Sequence, residues 1–542
     1  MRVALAQINT HICNFEKNFE KHVQFIKNAR DKHCDLVVFP EMSLFGYWPA
    51  DLLERKYLID IQLKFLAKLR SQIPKGMAVL VGAITKNKAK TGKLFFNSAV
   101  LLQKGKKDVI FSKELLPNYD IYDEARHFAR GDLSKGFFKF KGKKIFVTVC
   151  EDIWAWEANY IGARHTKNPF LALKKQKPDL IVNLSASPFN VGKDKARKNV
   201  AAQTARTLKA PIVYVYVAGA QDEIIFDGGS FVLDAKGKLL SQSVFCQEDI
   251  NIYDFDKKIG GSRPKETEIE LLRKALVLGI RDYVEKNGFK KIHLGSSGGI
   301  DSAVVACLAC DAVGSGRVTT IALPGPFSSQ DSFDLALKLA ENLKCTFLNV
   351  DINAMYKACV DEFETSLGIR EFGLTHENLQ SRLRGLTLMA VSNFKNSLLL
   401  TTGNKAEYAM GYATLYGDMC GGLAPIGDLL KHQVYELARY YNKDTEIIPE
   451  QIINRAPTAE LRENQKDQDT LPPYDELDFA DEKLITECAQ PKTEKEKDLY
   501  RRMMAAEFKR WQAAPILRVS RHAFGTGRRY PITFKAGVLL HF

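Results

Sequence analysis

The chain has 542 residues, 45% of them hydrophobic and 26% charged, with 78 Lys and Arg against 64 Asp and Glu, a net charge of +14. That length exceeds one ordinary core, so two domains of roughly 200–280 residues are expected. No apolar run approaches the roughly 18 residues of a membrane span, and the start, Met1-Arg-Val-Ala-Leu-Ala-Gln-Ile8, reads as a strand and not as a signal peptide; a cytoplasmic protein is expected. Basic runs such as Lys104-Gly-Lys-Lys107 carry no interleaved aromatics, which argues against a nucleic-acid-binding protein.

In chain order, Phe15, Phe19, Val23 and Ile26 recur at helical spacing. Apolar runs at Cys34–Phe39, Met77–Gly82, Lys144–Val149, Asp179–Val182 and Pro211–Val217 read as strands, and Phe231–Asp234 with Lys238–Ser241 as a hairpin. This alternation predicts a layered α/β domain over residues 1–255. A charged Gly-Gly-Ser-Arg-Pro stretch within 256–267 reads as a linker, and a helix beginning near Glu268 opens a second α/β domain, 268–542. Its first strand, Lys290–Leu294, runs into a small-residue turn and then a helix. The Pro- and acid-rich stretch Ala456–Glu482 reads as a mobile or substrate-ordered excursion, with a helix over Glu494–Gln512 after it. The ten cysteines have no framework spacing and fit reduced thiols; Cys307 and Cys310 form an isolated Cys-x-x-Cys on a predicted helix, best read as core.

Three strand ends in the first domain carry reactive groups: Phe39-Pro40-Glu41, Ser112-Lys113-Glu114, and Val149-Cys150-Glu151-Asp152. Each alone is weak. Together, in that order, they resemble the Glu–Lys–Cys triad of the nitrilase (carbon–nitrogen hydrolase) superfamily over roughly residues 1–250. The residue types suit amide hydrolysis. A thiol attacking a carbonyl needs thiolate character, which a nearby lysine favours. Glu41 would move the proton, and Lys113 with the Glu151 N–H would hold the oxyanion. The resemblance adds Glu124 as a further acid in the site. It also makes Tyr119, Glu124, Trp154, Ser187 and Lys193 candidates for contacting the amide substrate.

The turn in the second domain is Gly295-Ser296-Ser297-Gly298-Gly299-Ile300-Asp301-Ser302. A strand–turn–helix unit gathers backbone N–H groups at the positive end of a helix dipole, a cradle for phosphate. It is not a Walker A loop, lacking Gly-Lys-Ser/Thr. Asp301 beside phosphates calls for a divalent cation between them. The hexapeptide reads as the SGGxDS pyrophosphate loop of ATP-dependent adenylating enzymes. Further polar segments follow at Leu323–Ser332, Glu377–Arg384 with its Arg382 and Arg384 pair, Leu400–Glu407 and Gly411–Gly422.

With these motifs the chain resembles the glutamine-dependent NAD synthetases over essentially its full length. That implies a nitrilase-like α-β-β-α sandwich followed by a Rossmann-like adenine-nucleotide α-hydrolase domain. The implied reaction adenylates deamido-NAD with ATP, and ammonia from glutamine, passed internally, then displaces AMP. The resemblance puts ATP on residues 295–302, Thr402, Lys431 and Thr458, deamido-NAD on Arg382, Glu407 and Lys509, and Mg²⁺ on Asp301 and Glu407. It also implies a homo-oligomer, at least a dimer through the synthetase domain. Leu415 departs from the lysine that precedes Tyr-Gly-Asp in short ammonia-only synthetases. Another ammonia-using enzyme of the same loop class, such as a GMP or asparagine synthetase, remains an alternative, as does a plain amidase whose second half senses nucleotide.

Overall fold

The protein is described as a computed structural model, covering residues 1–156, 165, 167–261, 264–469 and 471–533. Residues 262 and 263 of the expected linker lie outside the described residues. The chain divides into two compact units, Met1–Ala275 and Leu276–Phe542.

The first unit is built on two six-stranded sheets. One has the spatial order Asp249–Asp254, Arg2–Gln7, Leu36–Val38, Ala78–Lys86, Phe95–Gln103 and Val109–Ser112. The other runs Leu239–Gln242, Phe231–Leu233, Ile212–Tyr216, Leu180–Ser185, Lys143–Val149 and Phe137–Phe140. In both, parallel central strands carry antiparallel edges. The central strands are buried on both faces, which is why they read as continuous apolar runs without alternation. Val3, Leu5, Leu36 and Val38 of the first sheet pack with Val147, Leu184 and Val213 of the second in one core.

The outer faces are covered by helices. Phe25, Ile26 and Ala29 of helix Phe15–Asp31 and Leu66 and Leu69 of helix Lys56–Ser71 pack on Ala4, Val37 and Val79. Val200, Ala201 and Ala205 of helix Lys193–Leu208 pack on Ile181 and Ile212. These layers are the expected α-β-β-α sandwich. The predicted hairpin forms, with a bulge between Val232 and Leu233. The strand Phe95–Gln103 goes beyond the expected set, because Asn97 and Ser98 interrupt its apolar run.

The second unit carries a four-stranded parallel sheet in the order Thr346–Asn349, Val318–Ala322, Ile292–Gly295, Leu398–Leu399. In chain order that is third, second, first, fourth. The reversal of direction falls between the first and fourth strands, and the loops leaving their C-terminal ends, 296–299 and 400–404, flank that point. In open α/β sheets this crevice is where ligands bind. Helix Ile300–Val313, which follows the first strand, is apolar and buried on nearly every side. Cys307 and Cys310 lie in it, packed away from solvent, as expected of core residues. The stretch expected to be an excursion ends in a short helix, Tyr474–Ala480, which runs on into a π-helical turn, Asp481–Thr486; Leu471, Leu477 and Ala480 anchor the stretch in the core. The expected terminal helix is broken at Ala506 into Glu494–Ala505 and Glu507–Arg510.

Candidate functional site

In the first unit the three reactive strand ends come together. Glu41 follows strand Leu36–Val38, Lys113 follows Val109–Ser112, and Cys150 follows Lys143–Val149. Lys113 Nζ donates to Glu41 Oε1 at 2.7 Å and to Glu124 Oε1 at 2.9 Å, and all three side chains are fully buried. Asn97 Nδ2 bridges the same two acids, at 2.7 Å from Glu41 and 3.3 Å from Glu124. The Tyr47 hydroxyl donates to Glu124 at 3.0 Å, and the Ala186 N–H to Glu41 Oε2 at 2.9 Å. The Glu41 turn lies hard against Gly82, where a Cβ would come within 2.1 Å of the Pro40 carbonyl oxygen; only glycine allows that approach.

Buried charges survive only when paired and hydrogen-bonded. Burial alone would lower Lys113, but the charges of Glu124 and Glu41 outweigh it and hold the ammonium well above its ordinary range. Glu124 is raised, by burial first, with Lys113 opposing. Cys150 is raised well above a free thiol, by burial first and then by Glu41, with Lys113 and a hydrogen bond from Ser185 pulling the other way. Lys113 therefore favours the Cys150 thiolate, while burial and Glu41 outweigh it and push toward the neutral thiol. The Cys150 backbone sits at φ +43°, in the left-handed region that residues other than glycine visit uncommonly.

The Tyr119 hydroxyl donates to Glu151, the residue after Cys150, at 3.0 Å, and His165 Nε2 lies 2.8 Å from the same carboxylate. Trp154 closes the turn that Cys150 opens. Ser187 follows Ala186, whose N–H holds Glu41, and Lys193 starts helix Lys193–Leu208; both are buried. Asn97, Tyr47, Ser185 and Asp152 were missed. A polar residue inside an apolar strand, as Asn97 is, was the available signal.

In the second unit a cavity of about 940 Å³ opens over the phosphate loop, and all of Gly295–Ser302 line it. Gly298 has φ +74°, and a Cβ there would lie 2.3 Å from the Ser332 carbonyl oxygen, so the tight turn depends on glycine. Within the loop, Ser302 Oγ accepts from the Ser297 N–H at 3.3 Å and donates to the Gly299 carbonyl at 2.9 Å. Thr402, Glu407, Thr458 and Lys509 also line the cavity. Lys431 meets the loop directly, its Nζ 2.5 Å from Asp301 Oδ2, while Asn404 Nδ2 donates to Asp301 Oδ1 at 3.0 Å. Glu407 and Asn404 cap one another. Glu407 is raised well above an ordinary carboxylate, by burial first and then by the charge of Asp301, with Lys431 opposing.

Arg382 departs from expectation. It is exposed, donates to the Leu415 carbonyl at 3.2 Å, and is not among the residues lining the cavity. Its helix turns Arg384 inward instead, onto the Leu323 carbonyl at 3.0 Å, where burial lowers the guanidinium to about 10. Residues two apart on a helix face different ways, so only one of the pair can reach the cavity. The segment 455–469 supplies a further wall. Glu460 accepts from Ser329 and Ser332 at 2.8 Å and pairs with Arg455 at 2.5 Å. Asp467 lines the same space, its Oδ1 buried without a hydrogen-bond partner.

Two carboxylates, Asp301 and Glu407, thus lie close enough to repel beside a loop shaped for phosphates. Among the described residues no group of three or more His, Cys, Asp or Glu is placed to hold a metal ion. The Asp301–Glu407 pair fits Mg²⁺, which is commonly held by one or two carboxylates with phosphate oxygens completing its shell.

The carbon-nitrogen hydrolase family model matches residues 2–263 and the NAD synthase model residues 272–513. The chain is 42% identical to a glutamine-dependent NAD(+) synthetase of Synechocystis, aligned over 98% of both chains, and 36% identical to that of Thermotoga maritima, again over 98% of each. A glutamine-dependent NAD(+) synthetase of Acinetobacter baumannii, solved with ADP, superposes with a TM-score of 0.77 at 35% identity over 98% of both chains. The chain belongs to the glutamine-dependent NAD(+) synthetase family.

Proposed function

We propose that this chain amidates deamido-NAD to NAD, drawing nitrogen from glutamine at Cys150 and energy from ATP at the 295–302 loop. The observation that carries this reading is the buried Glu41–Lys113–Glu124 set beside Cys150, in one chain with a phosphate loop at the switch point of a parallel sheet.

At the thiol site, Glu41 takes the Cys150 proton as sulfur attacks the amide carbon, so a charged thiolate need not persist in a buried pocket. Lys113 and the Glu151 N–H stabilise the tetrahedral oxyanion. Glu41 then protonates the departing ammonia and deprotonates the water that releases glutamate. Glu124 keeps Lys113 charged and in place, and Tyr119, Trp154, Ser187 and Lys193 shape the amide pocket.

At the second site, the N–H groups and hydroxyls of 295–302 bind the ATP phosphates, with Thr402, Lys431 and Thr458 completing the nucleotide contacts. Mg²⁺, held by Asp301 and Glu407, would offset the negative charge that builds on the phosphates. The nicotinate carboxylate of deamido-NAD attacks the α-phosphorus and pyrophosphate leaves; ammonia then displaces AMP from the acyl adenylate. Lys509 and Glu407 face deamido-NAD. Arg384, which the fold turns into the cavity, is assigned the contact that the motif gave to Arg382. Lys431 exchanges its carboxylate partner for phosphate when ATP enters.

We set the domain limits at 1–255 and 268–542, keeping the continuous helix Glu268–Lys286 whole. No helix among the described residues is long and apolar enough to cross a membrane; a cytoplasmic enzyme, assembled at least as a dimer through its synthetase domain, completes the proposal.

The test is an assay of NAD and AMP with glutamine or ammonium as nitrogen source. Equal amounts of the two products, dependent on deamido-NAD, are expected. Glutamine hydrolysis without AMP would leave a plain amidase.

A further inference from the structure

We propose that Asp152 is a positioning residue that sets Lys113 and Cys150 at working distance by tying their two loops to one carboxylate. The inference rests on the thiol-site reading above and adds to it a group outside the triad.

Asp152 Oδ1 accepts from the N–H groups of Glu114 and Leu115, both at 2.9 Å, and Oδ2 from the N–H of Val149 at 2.8 Å. Glu114 directly follows Lys113 and Val149 directly precedes Cys150. One side chain therefore fixes the backbone on either side of the two groups that must meet at the reacting carbonyl. The two loops leave different sheets, Val109–Ser112 at the edge of one and Lys143–Val149 inside the other. No ladder hydrogen bond joins those two strands; besides Asp152, they are linked through the 131–136 turn, where the Gly131 N–H donates to the Lys113 carbonyl at 2.7 Å and the Val147 N–H to the Gly136 carbonyl at 2.8 Å.

The chemistry selects a carboxylate. Three N–H donors converge on two oxygens, which needs a group that only accepts. An asparagine presents one accepting oxygen and one donating NH₂, so whichever way it turns, one loop faces a donor. Asp152 is fully buried, and all three of these hydrogen bonds go to backbone N–H groups. Burial raises its carboxyl to about 7 against the pull of those amides and of Lys113, the cost of placing a bare acceptor there.

The experiment compares Asp152→Asn and Asp152→Glu with Cys150→Ala, each as full-length enzyme, by kcat and KM for glutamine hydrolysis and by ammonia-driven NAD formation. Misplacing a catalytic group by about 1 Å costs on the order of 100-fold. Asp152→Asn is expected to lower kcat by at least about tenfold toward that limit, with KM within about twofold and ammonia-driven synthesis unchanged. Asp152→Glu keeps the acceptors but displaces one loop, so it too should fail to restore kcat. A kcat within about twofold of wild type in Asp152→Asn overturns the proposal, as does a loss confined to KM. If Cys150→Ala retains glutamine hydrolysis, the thiol-site reading itself fails. Should the Asp152 variants not fold, amide hydrogen exchange on the wild-type enzyme decides. Glu114, Leu115 and Val149 are expected to share one protection level, and rapid exchange at 114–115 beside a protected 149 overturns the shared tie.

Discussion

The thiol site and the phosphate loop solve opposite problems. In the first unit Glu41, Lys113 and Glu124 satisfy one another in a dry interior, and the site is complete before any substrate arrives. In the second, Lys431 pairs with Asp301 and Arg455 with Glu460 around a cavity of about 940 Å³. The carboxamide group that reacts at the thiol site is itself uncharged, so the groups that meet it can be paired in advance. A polyphosphate brings several charges, so its site keeps cations on provisional partners that the substrate replaces. Prebuilt charge favours rate, since nothing reorganises when the oxyanion forms; exchangeable charge favours the capture and release of large anions.

Removing the shared charge at the loop should break this comparison most visibly. Asp301→Ala is expected to lower AMP and NAD formation at least about a thousandfold with either nitrogen source, about 4 kcal/mol of transition-state stabilisation; glutamine hydrolysis by the same protein should persist. Loss of glutaminase chemistry with intact AMP formation would invert the assignment. Next in size, Lys113→Gln strands two buried carboxylates. Breaking such a set costs about 3–5 kcal/mol, so a lower unfolding temperature in the first unit should accompany loss of glutaminase activity. An unchanged melting temperature would show that the set is solvated.

Smaller effects sharpen the contrast. Asn97→Leu removes two donors from the acids, a loss of about 1–3 kcal/mol, expected as a ten- to hundredfold drop in glutaminase kcat with ammonia-driven synthesis untouched. The thiol offers the finest probe. Because burial and Glu41 raise Cys150, its alkylation by iodoacetamide should climb about tenfold per pH unit from pH 6 to 8, following the thiolate fraction. A rate flat across that range would mean a resting thiolate paired with Lys113.

Much of this was legible because chemistry in α/β folds sits where strands end. Glu41, Lys113, Cys150 and Asp301 each stand at or just after a strand end, and the order of these short motifs carried the family resemblance that singled them out. Asn97 and Ser185 carry no such signature, and Asp152, although it stands in the Cys150 turn, gives no sign of which backbone it holds. Their partners lie on other strands, and only register and topology decide whom they meet. Arg382 shows the same limit from the other side, since the motif offered two arginines and helix phase turned Arg384 inward. Residues 456–482 misled because their Pro- and acid-rich composition hid anchors such as Leu471 and Leu477, whose core is assembled from distant segments.

The central claim, two chemistries divided between two sites, is tested most directly by Cys150→Ala assayed for NAD with each nitrogen source. Glutamine-driven synthesis should vanish while ammonium-driven synthesis stays within about threefold of wild type, a change below about 1 kcal/mol. Loss of both activities in a folded protein, or survival of the glutamine-driven one, would contradict the account.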